Sequence, residues 1–137
     1  MKIRDLKKLL ESAVESLFTN QPNIFDFTSE TGQTEWNLAH HYANEVWRSL
    51  PNFDCDLDVV KVNIGSKRPD IIFHKRGSND SNFLVIEVKR DGDSTEIRSD
   101  IKKIKLYWFG DHLHYKFGAT VNLKADKTGS VEIFENS

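Results

Sequence analysis

The chain has 137 residues, a formal net charge of −2 and 38% hydrophobic residues. These values are typical of one globular domain, and they exclude a disordered chain and binding of nucleic acid through bulk basicity. The single cysteine, Cys55, excludes an intramolecular disulfide. The N-terminus lacks the pattern of a signal peptide, and no apolar run is long enough to span a membrane. A cytoplasmic protein without a membrane partner is therefore expected.

Two amphipathic helices are predicted in the first part of the chain. Residues 3–18 repeat apolar side chains at helical spacing, and residues 20–33 are predicted to form a loop. A second helix is predicted over 34–50. Its apolar stripe includes Glu35 near the N-terminus, where the helix dipole stabilises a carboxylate. The alternative is that Glu35 is a capping acid on a partly solvated first turn.

The apolar period then changes to the alternation that is typical of strands. Five strands are predicted, at 57–64, 70–75, 83–89, 112–124 and 130–135. Five consecutive apolar residues in the third predicted strand indicate that both of its faces are covered. Between the third and fourth strands, the sequence predicts a helix that Asp93 or Ser94 caps and that ends at Gly110.

This order of elements predicts an α/β fold with a mixed central sheet flanked by helices. A three-stranded antiparallel meander would come first, and the helix would then cross over to a further strand. The whole chain, residues 1–137, is expected to form a single domain.

Charged side chains lie at one end of two predicted strands. Asp70 opens the second strand, and Glu87 and Lys89 close the third. Antiparallel pairing would bring all three together, and a carboxylate at the edge of a core needs a compensating partner. Lys89 is one such partner, and a divalent cation is another. The alternative is a pair of surface salt bridges, Asp70 with Arg68 and Glu87 with Lys89.

These residues resemble a known family. Pro69-Asp70, followed after sixteen residues by Glu87-Val88-Lys89, resembles the PD-(D/E)xK, or restriction-endonuclease-like, nuclease superfamily. The family core has the order αβββαβ, which the predicted elements of 34–124 follow. Residues 1–33 would add an N-terminal helix and loop, and 125–137 a C-terminal strand.

The resemblance implies a Mg²⁺-dependent enzyme, either an endonuclease or an exodeoxyribonuclease, that hydrolyses DNA phosphodiester bonds. Asp70 and Glu87 would bind Mg²⁺ or Mn²⁺, with the carbonyl of Val88 as a further ligand. Lys89 would be the catalytic lysine that activates or orients the water. Glu35 would match the helical acid of many members, assisting the metal site or its water.

Phosphate contacts are predicted for four basic residues: Lys67, Arg68, Arg90 and Lys103. The first three flank the inferred site. Lys103 shares a stripe of the following helix with Asp100 and Tyr107, and helices at this place in the family often send polar residues toward the site. The three tryptophans, at 36, 47 and 108, are predicted to be core or interface residues rather than stacking platforms.

DNA is thus the expected partner, and the pattern does not choose between single and double strands. Cutting both strands needs two sites, which allows a homodimer or a larger complex. The alternative function is a catalytically silent module that keeps the nuclease fold and binds nucleic acid or a partner protein.

Overall fold

The computed structural model describes residues 1–26, 34–57, 69–110 and 113–137. Its elements are α1 (Ile3–Asn20), α2 (Thr34–Trp47), β1 (Asp54–Leu57), β2 (Ile71–His74), β3 (Leu84–Arg90), α3 (Ser94–Lys103), β4 (Phe117–Leu123) and β5 (Gly129–Glu135). A π-helical turn, Ile104–Trp108, continues α3. The protein is therefore of the α/β class. Among these helices, none has both the length and the apolar character to cross a membrane.

The five strands form one mixed sheet in the order β1-β2-β3-β4-β5. All neighbours are antiparallel except β3 and β4, which run parallel because α3 crosses over between them. Leu84, Ile86 and Val88 of β3 belong to the core beneath α1 and α2. Val85 packs on the opposite face with Trp108 of the π-helical turn. The prediction that both faces of this strand are covered is confirmed.

Helix α2 ends three residues before its predicted end at residue 50. The backbone N–H of Ser49 donates to the carbonyl of Val46, and that of Leu50 donates to Trp47, each at 3.0 Å. These bonds span three residues instead of four, so the chain tightens out of the α-helix just before Pro51.

Two strand boundaries were predicted wrongly. Strand β1 begins at Asp54 instead of 57, and the rest of the strand predicted over 57–64 falls in 58–68, outside the described residues. Strand β4 begins at Phe117 instead of 112. The chain before it folds back on the preceding helical turn, since the backbone N–H of Tyr115 donates to the carbonyl of Trp108 at 3.1 Å.

Candidate active site

Antiparallel pairing of β2 with β3 brings the two predicted acids together. The register pairs Ile71 with Ile86, so the preceding Asp70 lies opposite Glu87. Each carboxyl group is close enough to affect the pKa of the other. Asp70 Oδ2 also accepts a 2.7 Å hydrogen bond from the backbone N–H of Val88. The predicted juxtaposition of Asp70 and Glu87 is thus present at the open end of this hairpin.

Burial and mutual proximity oppose the ionisation of the acid pair. Glu87 is only 2% exposed, and burial together with the Asp70 carboxylate raises the pKa of Glu87 well above its usual range. Burial also raises the pKa of Asp70. Glu87 Oε1 is buried and meets no hydrogen-bond donor among the described residues. Burial and the neighbouring Asp70 carboxylate therefore both oppose ionisation of Glu87.

Lys89 lies next to the pair on the same face of β3. Its Nζ is 3.4 Å from Asp100 Oδ2 and 3.8 Å from Glu35 Oε1. Burial opposes the charge of this ammonium, but the two carboxylates outweigh it and raise the pKa of Lys89. Lys89 is thus a hydrogen-bond donor and a positive charge at neutral pH, not a general base.

Asp100 is a site residue that sequence reasoning missed. This buried side chain of α3 lies between two lysines, with Oδ2 facing Lys89 and Oδ1 3.6 Å from Lys103 Nζ. Its position three residues before Lys103 could have revealed it, because both residues lie on the helix stripe that was predicted to face the site. A buried acid on a helix needs cationic partners, and here it has two.

The start of α3 sets the direction in which Asp100 and Lys103 point. Asp93 accepts a 2.8 Å hydrogen bond from the backbone N–H of Glu96, and Glu96 accepts one from the N–H of Asp93 at 3.2 Å. This capping box confirms Asp93 as the N-cap and fixes the helix phase. Lys103 Nζ then lies 3.8 Å from Glu87 Oε2, so the predicted phosphate-contact residue is placed at the site.

Glu35 reaches the site from α2, but not from a buried position. The side chain is 46% exposed, so the prediction that it lies on the buried stripe is wrong. Glu35 precedes that stripe, which begins at Leu38, and it extends toward the end of β3. There it contacts Lys89 and accepts a 3.3 Å hydrogen bond from the backbone N–H of Arg90.

Arg90 and the loop after it lie at the rim. The Arg90 guanidinium is 4.9 Å from the Phe25 ring centroid, and Arg90 alternates with Lys89 along β3, so it faces away from Glu87. Asn122 of β4 fixes the loop after β3, accepting from the N–H of Gly92 at 2.8 Å and donating to its carbonyl at 2.9 Å. Lys67 and Arg68 lie outside the described residues.

Six side chains form what we call the acid–lysine cluster: Glu35, Asp70, Glu87, Lys89, Asp100 and Lys103. If all six were ionised, four carboxylates would face two ammonium groups and leave two negative charges unbalanced. A divalent cation matches that excess, and carboxylate oxygens are the ligands that Mg²⁺ prefers. The free Oε1 of Glu87 fits the same interpretation.

The described part of the chain contains no group of three or more His, Cys, Asp or Glu side chains arranged to hold a metal ion. Side-chain ligands at the cluster would therefore come from the Asp70–Glu87 pair. Such a two-carboxylate site takes its remaining ligands from the main chain, water or substrate, as is common for Mg²⁺.

The chain was compared with known proteins. No family model matches it, and no curated protein matches it. Three solved chains do match. One of them, "Crystal structure of SSO0001", is 17% identical with a TM-score of 0.41, over 99% of this chain and 79% of that chain. At this TM-score the likeness carries no argument about fold or function.

Proposed function

We propose that the protein is a metal-dependent nuclease that hydrolyses DNA phosphodiester bonds on a restriction-endonuclease-like core. The observation that carries the proposal is the register that sets Asp70 opposite Glu87 at the end of the β2–β3 hairpin, with Lys89 and Lys103 alongside. The order α2-β1-β2-β3-α3-β4 supports it, because this is the αβββαβ order of the family that the PD and ExK residues resemble.

Asp70 and Glu87 would hold Mg²⁺ or Mn²⁺, with the Val88 carbonyl as a further ligand. Such an ion neutralises phosphate charge and lowers the pKa of a bound water. Carboxylates bind such an ion in their ionised form, so metal binding would be expected to strengthen as the pH rises.

The lysines supply positive charge where negative charge develops. Lys89 is an ammonium, so it orients the attacking water by hydrogen bonding and offsets charge on the phosphorane. Asp100 and Glu35 hold its Nζ between them. Lys103 is 35% exposed at the mouth of the cluster, where it can contact a non-bridging phosphate oxygen.

The test is cleavage of supercoiled plasmid and of single-stranded circular DNA with Mg²⁺, with Mn²⁺ and with EDTA. We expect metal-dependent cleavage that falls about 100-fold or more in Asp70→Asn, Glu87→Gln and Lys89→Ala. Lys102→Ala removes an exposed ammonium from α3 beside Lys103 and should cleave like the wild type. Cleavage that persists in Asp70→Asn and Lys89→Ala would refute the proposal.

A second candidate is the silent nuclease-fold module. One observation favours it: Lys89 and Lys103 already neutralise part of the carboxylate charge, so the cluster is partly satisfied without an ion. Calorimetric titration with Mn²⁺ separates the two candidates. Absence of metal binding, together with salt-sensitive DNA binding, would select the silent module.

A further inference from the structure

One flank of α2 carries exposed side chains that the cluster does not use. We call them the α2 stripe: Trp36, His40, Asn44, Trp47 and Arg48. They recur at helical spacing, and the tryptophans are 59% and 41% exposed, so of the two predicted places, core or interface, the core is excluded for both. From Trp36 to Trp47 the stripe runs about 16 Å along the helix.

The far end of the stripe is a surface pocket. It has a volume of about 410 Å³ and is lined by Asn44, Trp47, Arg48 and Pro51. Trp47 Nε1 donates a 2.8 Å hydrogen bond to the carbonyl of Phe53, which holds the indole in place. The pocket thus offers a fixed aromatic face, an amide and a guanidinium.

Arg48 retains N–H donors for a ligand although one of its guanidinium nitrogens is paired with Glu45. Its NH1 atom lies 3.3 Å from Oε1 of the buried Glu45, while most of the Arg48 side chain is exposed. Glu45 is held separately by the amide of Asn20, at 3.0 Å to each carboxylate oxygen. The outward guanidinium nitrogens therefore remain directed to solvent, where they can meet a phosphate.

The near end of the stripe joins the acid–lysine cluster. Trp36 directly follows Glu35, whose carboxylate contacts Lys89 and the backbone of Arg90. Trp36 is therefore one residue along α2 from a member of the cluster, which puts the start of the stripe next to the proposed catalytic site.

The composition of the stripe distinguishes between possible occupants. His40, Asn44 and Arg48 separate the two indoles, so the stripe itself is not the continuous apolar patch that the core of a protein interface requires. The stripe also contains no acidic residue. Separate aromatic faces with polar and cationic groups between them match a strand of unpaired bases, which stack singly while the phosphates contact donors.

We propose that the α2 stripe binds the unstacked bases of single-stranded DNA and leads the strand into the acid–lysine cluster. The inference rests on the proposed function and names its substrate class. Duplex DNA cannot use the stripe in this way, because its bases are already stacked inside the helix.

The direct test is binding of fluorescent oligothymidylate in EDTA, which separates binding from cleavage. We expect Trp36→Ala and Trp47→Ala each to weaken binding about 5- to 100-fold. Trp36→Leu should weaken it similarly, since it keeps apolar bulk but loses the ring. The matched control is Leu106→Ala, which removes a 68% exposed hydrophobic side chain from the π-helical turn and should bind like the wild type.

Cleavage assays on the same variants distinguish the possible failures. Trp variants that bind oligothymidylate like the wild type would overturn the inference, and wild-type cleavage would still support the nuclease. If the Trp variants lose DNA binding but the wild type never cleaves DNA, the α2 stripe would remain a DNA-binding site and the proposed nuclease activity would be refuted. A wild-type dimer that Trp36→Ala dissociates, with DNA binding unchanged, would make the stripe a self-association surface and overturn the inference.

Discussion

At the scale of single residues, the site contains charges that folding alone would not select. Asp70 and Glu87 lie opposite each other on neighbouring strands, and burial raises the pKa of both carboxyl groups. Two acids that repel each other lower the stability of the free protein. Such a cost is expected where a ligand, and not the fold, requires the charges.

Glu87→Gln should therefore stabilise the metal-free protein while abolishing cleavage. A neutral Gln amide avoids the cost that burial and the neighbouring Asp70 impose on ionised Glu87, and we expect a gain of about 1 kcal/mol at pH 8. Thermal unfolding in EDTA measures it. Saturating Mn²⁺ should raise the melting temperature of the wild type only. Glu132→Gln, on exposed β5, is the control.

A second charged group, formed by Asp56, His74 and Arg76, lies near the other end of β2. The pKa of its carboxyl group is lowered, whereas the pKa values of Asp70 and Glu87 are raised. Arg76 donates to Asp56 through Nε at 2.9 Å and NH2 at 2.7 Å, and His74 Nε2 lies 2.6 Å from Asp56 Oδ2. The Arg76 hydrogen bonds are the main cause that lowers the pKa of Asp56 from 3.8 to about 2. This ion pair stabilises the edge of the sheet and takes no part in the proposed chemistry.

Asp56→Asn should destabilise the protein by about 1–2 kcal/mol at pH 7, allowing for partial solvent screening. Because the folded pKa of Asp56 is depressed, its contribution is complete above pH 3.8 and disappears as the pH falls through about 2. Urea unfolding at a series of pH values measures the difference. Asp80→Asn, an exposed control, should show none. A difference that stays constant down to pH 2 would contradict this account.

At the scale of elements, α3 and its π-helical continuation determine where Asp100 and Lys103 lie. The backbone N–H of Phe109 donates to the carbonyl of Ile104 at 3.0 Å, five residues earlier, which is the bond of a π-helix. This turn packs directly on β4 at Gly118. A Cβ atom there would collide with the Ile104 side chain and lie 3.1 Å from Phe109 Cζ.

Gly118→Ala should consequently destabilise the fold by roughly 1–3 kcal/mol, through overpacking between β4 and the turn. Ile104→Leu in the same chain removes the Cγ2 branch that the new methyl group meets, so it should restore part of the loss. Chemical denaturation of the two variants and of Ile104→Leu alone measures the coupling. If the losses of stability in the two single variants simply add in the double variant, the contact between Ile104 and a side chain at position 118 does not limit the packing.

The helices and strands were predictable to different degrees. The spacing of Ile97, Ile101, Ile104 and Trp108 predicted a helix ending near Gly110, and a helix begins at the predicted cap. The last turn of this helix is a π-helix, which no local sequence pattern predicted. The start of β4 was misjudged because the alternation of "HLHYKF" suits a strand, whereas Tyr115 is buried against the turn.

At the scale of the whole molecule, a net charge of −2 leaves little long-range attraction for DNA. The proposed binding would have to rely on local contacts, for which Lys67, Arg68, Arg90 and Lys103 are the predicted residues. On single strands, each phosphate contact adds about −0.7 to the slope of the logarithm of the binding constant against the logarithm of salt concentration.

Lys103→Ala should therefore make that slope shallower by about 0.7, while Lys102→Ala should leave it unchanged. Titrations in EDTA over a range of KCl concentrations measure it for wild type and both variants. Equal slopes for wild type and Lys103→Ala would remove Lys103 from the phosphate contacts.

The α/β class, the order of elements and the position of Asp70 opposite Glu87 could all be predicted from the amino-acid sequence. These follow from local patterns, since a short turn between two antiparallel strands leaves the start of one beside the end of the other. Only the tertiary structure decided that Asp100 bridges Lys89 and Lys103, that Glu35 is half exposed, and that Trp36 and Trp47 face solvent. Those facts depend on how helices rotate and dock on the sheet, which is set by packing between distant residues and not by spacing along the chain.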